Sequence, residues 1–216
     1  MKVKPVAAGV DYSLYLVTDR SLSRGRSSED IVGAAVRGGV TCVQLREKNC
    51  TTREFVKQAR SLQLVLHRHK IPLIINDRLD VALAIGADGV HLGQSDMHIG
   101  DARRLVGDKM IIGISAENLG DAIMAEQEGA DYIGISPVFA TGTKVDTATP
   151  LGLEGIRRIR RAVKIPLVGI GGVNASNVGD IIRAGADGIA VVSAIVSAAC
   201  PETAAAELKK LLLQNS

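Results

Sequence analysis

The chain has 216 residues, 46% hydrophobic and 23% charged, which excludes a disordered polymer and suits one large domain or two small ones. Its 26 basic and 23 acidic residues leave a net charge of +3, too small an excess to mark a polyanion partner but compatible with a small anionic substrate. With 2% aromatic residues and no Trp, a surface of stacking platforms for nucleic-acid bases is not expected.

Eight apolar runs of strand length follow one another along the chain, at residues 14–17, 43–45, 73–75, 90–92, 111–114, 132–135, 167–170 and 189–192. Most are continuous rather than alternating, as strands covered on both faces should be. Helix-period segments lie between them. Thr51-x-x-Glu54 reads as a capping box opening a helix near Arg53. Leu153, Ile156, Ile159 and Val163, and then Val178, Ile181, Ile182 and Gly185, trace one helical face each. The phrase Gly86-Ala87-Asp88-Gly89-Val90 returns as Gly129-Ala130-Asp131-Tyr132-Ile133 and Gly185-Ala186-Asp187-Gly188-Ile189, with a looser copy at Gly38-Gly39-Val40-Thr41-Cys42. Its first glycine suits the left-handed close of a helix, so the phrase reads as a repeated helix-to-strand joint. Repeated βα units in this number predict one compact (β/α)8 TIM barrel over residues 1–216; an open doubly wound sheet is the alternative. Cys42, Cys50 and Cys200 form no CxxC pair, which speaks against a disulfide framework or zinc knuckle. Asp11 interrupts any signal-type run, and the stretch at 189–200 is too short to span a bilayer, so the expectation is a cytoplasmic chain without membrane contact.

In such a barrel, chemistry collects at the C-terminal strand ends. The second strand ends Gln44-Leu45-Arg46-Glu47-Lys48, where period two puts Gln44, Arg46 and Lys48 on one face as an anion clamp. Taken alone, this Arg-Glu-Lys reads more readily as a solvated strand end. Asp77 after the third strand and Asp96 after the fourth could share Mg²⁺; equally, Asp77 could pair with Arg78 and Asp96 could cap the next helix. A long loop at 136–150 carries Thr141-Gly142-Thr143-Lys144, which suits either a lid or a plain surface loop. Gly171-Gly172 after the seventh strand, and Val192-Ser193 at the end of the eighth, occupy the usual phosphate position of these barrels. Asn174 stands where a Rossmann fingerprint needs its third glycine, so that fingerprint fails. His91 is the only one of four histidines inside a strand run, and reads as a hydrogen-bonded barrel residue. Arg157-Arg158-x-Arg160-Arg161 reads as the solvated face of an amphipathic helix.

Together, Gln44-x-Arg46-x-Lys48, Asn76-Asp77, His91-Leu92-Gly93-Gln94-x-Asp96, Ser115, Thr141-x-Thr143-Lys144, Gly171-Gly172 and Val192-Ser193 resemble the thiamine-phosphate synthase family from Leu14 to Ser193. Ala140 departs from the Pro that members often carry, which bears on loop stiffness. The resemblance implies a transferase joining an aminopyrimidine, carried as its methylene diphosphate ester, to a thiazole phosphate. It implies that Gln44, Leu45, Arg46, Glu47, Lys48, Asn76, Ser115 and Lys144 bind the pyrimidine diphosphate, with Arg46, Lys48 and Lys144 assisting catalysis. It further implies that Thr141, Gly142, Thr143, Gly172, Val192 and Ser193 bind the thiazole phosphate, and that Asp77 and Asp96 hold Mg²⁺. The expected partners are two small phosphorylated molecules, not nucleic acid; a homo-oligomer is compatible with the sequence. Three rivals stand beside this reading. A thiazole tautomerase-like paralogue would need neither the basic cluster nor the carboxylates. A sugar-phosphate epimerase-like barrel would explain only Gly171-Gly172, and a non-enzymatic basic binding protein would rest on the arginine-rich helix.

Overall fold

A computed structural model describes residues 9–142 and 149–215. In chain order the elements are β1 (Leu14–Val17), α1 (Ser28–Arg37), β2 (Cys42–Leu45), α2 (Thr52–His67), β3 (Leu73–Asn76), α3 (Leu79–Ile85), β4 (Gly89–Leu92) and α4 (Ile99–Val106). They continue with β5 (Ile111–Ala116), α5 (Leu119–Gln127), β6 (Tyr132–Ile135), α6 (Gly152–Ala162), β7 (Leu167–Ile170), α7 (Val178–Arg183), β8 (Gly188–Val191), α8 (Ser193–Val196) and α9 (Pro201–Leu213). All strands pair in parallel with their chain neighbours, and β8 pairs with β1, which closes the sheet and excludes the open alternative. Among the described residues, no helix is long and apolar enough to cross a membrane.

The repeated joint behaves as its glycine suggests. Gly86, Gly129 and Gly185 hold φ of 60°, 92° and 108°, values that an L side chain rarely adopts. In the looser copy the left-handed position falls one residue later, on Gly39 at φ 99°. Gly38 serves packing instead, because a Cβ there would overlap the Glu202 carbonyl oxygen, and its bare Cα lets α9 lie against α1. The capping box at Thr51 and Glu54 forms, and its helix begins at Thr52.

Alternation along the strands divides the apolar residues into two cores. Leu14, Leu16, Val43, Leu45, Leu73, Ile75, Val90 and Leu92 belong to the layer between barrel and helices. Tyr12, Tyr15, Val17, Cys42, Ile74, Ile111, Tyr132, Val168 and Ala190 fill the barrel itself. The aromatic rings need neighbours without side chains. A Cβ on Gly113 would overlap Tyr132 Cζ, so the glycine of β5 makes the space that the tyrosine of β6 occupies. This plug closes the lower barrel and leaves the C-terminal strand ends to line a cavity.

Candidate active site

The cavity at those strand ends measures about 520 Å³. One wall carries Gln44, Arg46, Lys48, Asn76, Asp77, Asp96 and Ser115; the other carries Thr141, Gly171, Gly172, Val192 and Ser193. The structure therefore brings most of the predicted site residues together from seven different strand ends or loops. Leu45 lies fully buried in the outer core, and neither it nor Glu47 is among the side chains that line the cavity. Period two, which aims Arg46 inward, turns its neighbours outward. Gly142 is described beside Thr141 but does not line the cavity; Thr143 and Lys144 lie outside the described residues.

The basic wall is held by carboxylates that local sequence does not pair. Arg46 Nη1 donates to Asp19 Oδ2 at 2.8 Å, with the two side chains 22% and 11% exposed. The Arg46 backbone N–H donates to Thr18 Oγ1 at 3.0 Å, and Asp19 Oδ1 also accepts from the Ser21 backbone N–H at 2.9 Å. The β1 end thus braces the β2 end. Sequence reasoning missed Asp19, although it stands two residues past β1 and the strand-end rule that selected Asp77 and Asp96 would have selected it.

Lys48 Nζ donates to Asp77 Oδ2 at 2.5 Å, so Asp77 pairs across strands and not with Arg78, which turns instead to Asp80. Asp77 itself sits at φ 63°, a left-handed conformation that Asp tolerates better than most residues. Its N–H donates to the His91 carbonyl at 2.9 Å, which ties the β3 end to β4. Asp96 does not cap the next helix; His98 does, and Asp96 Oδ2 accepts from the Gly93 N–H at 2.7 Å. Burial raises the Asp96 pKa above the ordinary carboxylate value; the Gly93 hydrogen bond opposes that rise, and the neighbouring Asp77 carboxylate adds to it. Among the described residues no cluster of three or more His, Cys, Asp or Glu could hold a metal. Two crowded carboxylates nonetheless form an oxygen donor set that fits a hard divalent cation, whose other positions water and phosphate would fill.

An acid whose folded pKa is raised favours folding only while protonated. Its contribution is present at low pH and is lost as pH rises through the folded value. Ionised Asp96 therefore opposes folding of the cation-free protein at neutral pH. Asp96→Asn keeps an acceptor for Gly93 and is expected to raise the Tm measured in chelator at neutral pH. The gain should fade as pH falls into the carboxylate range; a pH-independent Tm shift would contradict this origin.

On the opposite wall, Gly171 and Gly172 hold φ of 96° and 67°. The Gly172 carbonyl accepts from Asn174 Nδ2 at 3.2 Å and Asn177 Nδ2 at 2.9 Å. Asn174, which breaks the dinucleotide fingerprint, is thus a clamp for this turn. Val192 stands at the N-cap position of the short α8, which begins at Ser193, and makes no side-chain cap. The sequence reading also missed Tyr15, Tyr132 and Glu117 among the lining residues. Tyr15 and Tyr132 could have been found by applying period two to β1 and β6.

The thiamine monophosphate synthase family model matches residues 14–195. The chain is 53% identical to a thiamine-phosphate synthase of Chloroflexus aurantiacus over 96% of this chain and 95% of that one. It is 55% identical to one of Albidiferax ferrireducens, covering 92% and 91%. A solved thiamine phosphate pyrophosphorylase from Pyrococcus furiosus is similar at a TM-score of 0.88 and 40% identity, covering 95% and 97%.

Proposed function

The chain belongs to the thiamine monophosphate synthase family and is a transferase of thiamine biosynthesis, and from that premise we propose how its residues divide two substrates and a cation. Hydroxymethylpyrimidine diphosphate would lie on the wall of Gln44, Arg46, Lys48, Asn76 and Ser115, and thiazole phosphate at Thr141, Gly172, Val192 and Ser193. The observation that carries this reading is that one cavity of about 520 Å³ holds a cationic wall with paired carboxylates and, facing it, a glycine turn. A barrel acting on one phosphate needs only the second half. A thiazole tautomerase needs neither Arg46 and Lys48 nor the carboxylates.

Arg46 and Lys48 would meet the negative charge that grows on diphosphate as the methylene C–O bond breaks. Mg²⁺ at Asp77 and Asp96 would supply further positive charge against those oxygens. The electron-rich aminopyrimidine stabilises the methylene cation left behind. The Gly172 turn would hold the thiazole by its phosphate so that its ring nitrogen captures that carbon. The reaction then depends on positioning and electrostatics and needs no protein nucleophile.

The test is thiamine phosphate formation by purified protein from both substrates. Chelation is expected to abolish turnover and added Mg²⁺ to restore it. Absence of product with both substrates and Mg²⁺ would refute the assignment, and full activity in excess chelator would remove the cation from it.

A further inference from the structure

A chain of polar side chains runs across the barrel at the floor of the cavity. Gln44 Nε2 donates to Tyr15 Oη at 3.1 Å, Tyr15 Oη meets Tyr132 Oη at 2.9 Å, and Tyr132 Oη meets His91 Nδ1 at 2.9 Å. His91 Nε2 then meets Ser115 Oγ at 2.9 Å. Gln44 and His91 are only 5% and 9% exposed, and both tyrosines are buried. The space for the imidazole is specific: a Cβ on Gly134 would lie 3.1 Å from its Cε1. Tyr15 and Tyr132 are held well above the usual phenol pKa by burial, so each hydroxyl keeps its single proton.

One proton per hydroxyl gives the chain a direction. The Gln44 amide donates to Tyr15, which leaves the Tyr15 proton to go to Tyr132 and the Tyr132 proton to go to His91 Nδ1. An imidazole that accepts at Nδ1 carries its proton at Nε2 and donates it to Ser115 Oγ. With Gln44 donating, the opposite direction would leave the Tyr15 proton to the neighbouring Cys42 sulfur, a weak acceptor.

We propose that this relay makes His91 a positioning residue, holding it as the Nε2–H tautomer so that the Ser115 hydroxyl is free to donate its own proton into the cavity. The inference rests on the pyrimidine reading of this wall. An aminopyrimidine ring nitrogen beside the exocyclic amine is an acceptor and matches a donating serine. The oxo analogue carries N–H at that position and meets only the one lone pair that the Nε2–H bond leaves on Ser115. The relay therefore favours amino- over oxo-pyrimidine diphosphates through Tyr15, Tyr132 and His91, which act by way of Ser115. A relay of opposite direction would spend the Ser115 proton on His91 and present only lone pairs.

The tautomer can be read without any substrate. His91 is the only buried one of four histidines, since His67, His69 and His98 are exposed, so its ring nitrogens can be distinguished in protein labelled with ¹⁵N-histidine. The expected spectrum shows a protonated, pyrrole-like Nε2 and a pyridine-like Nδ1. A proton on Nδ1, whether alone or together with one on Nε2, overturns the proposal and means either that the Gln44 amide is turned over or that Tyr15 donates to Cys42. This result stands whether or not the protein turns over a pyrimidine diphosphate. Tyr132→Phe keeps the ring and deletes the link. It is expected to mix the His91 tautomers and to lower the kcat/KM preference for aminopyrimidine over oxopyrimidine diphosphate by about tenfold, the order of one hydrogen bond. An unchanged tautomer or an unchanged preference in a folded Tyr132→Phe protein also overturns it.

Discussion

Arg46→Ala is expected to lower kcat by about a hundredfold or more, with a smaller change in KM for the pyrimidine diphosphate. The charge opposite the guanidinium grows as the leaving group departs, so the contact is stronger in the transition state than in the bound substrate. The bracing by Asp19 adds a second consequence. Asp19 is 11% exposed and gives one oxygen to Arg46, so truncating the arginine strands a largely buried carboxylate. Arg46→Ala should therefore lose stability as well as activity. Adding Asp19→Asn should recover Tm without recovering kcat, which separates the electrostatic role from the structural one. Asp19→Asn alone should lower kcat less than Arg46→Ala, because the guanidinium remains but loses the partner that aims it. A rise in KM with kcat intact in Arg46→Ala would contradict transition-state stabilisation.

The barrel was legible because its signals are local. Each helix-to-strand joint places a glycine where the backbone turns left-handed, and continuous apolar runs mark strands covered on both sides. The cavity followed from one rule, that polar residues just past strand ends face the barrel mouth. Which of those residues touch one another was not legible. Lys48 pairs with Asp77 from the next strand rather than leaving Asp77 to its chain neighbour Arg78, and Asp19 reaches Arg46 from the preceding strand end. These partners are chosen by strand register and by the twist of the closed sheet, which no single segment encodes. The relay is the extreme case. Tyr15 and Tyr132 stand 117 residues apart, and their hydroxyls meet only because β1 and β6 both project into a barrel in which Gly113 leaves room for the Tyr132 ring. His91 looked like a satisfied core histidine, and it is hydrogen-bonded at both ring nitrogens. What the sequence could not show is that both of those bonds end on side chains lining the cavity.

Gly172→Val is expected to spare binding of the pyrimidine diphosphate while weakening thiazole phosphate by about tenfold or more, the scale of a lost charge-assisted hydrogen bond. Two constraints act at this position. Its φ of 67° is strained for valine, and a Cβ would lie 2.7 Å from the Ala140 carbonyl oxygen and 2.8 Å from Phe139 Cβ. The new side chain would therefore push on the segment that leads to Thr141 as well as twist the turn itself. Both disturbances fall on the glycine wall, while Arg46, Lys48 and Asp77 lie across the cavity from it. A poorly held thiazole leaves its nitrogen badly aimed, so the methylene cation should be lost to water more often. Product partitioning reads this directly, as thiamine phosphate against hydroxymethylpyrimidine at saturating pyrimidine diphosphate. Asn177→Ala separates the turn from the steric clash, because it deletes a 2.9 Å tether on the Gly172 carbonyl and adds no atoms. It should shift partitioning in the same direction by a smaller factor. If both variants fold and keep the parent thiazole phosphate affinity and partitioning, the thiazole phosphate is not held at this turn.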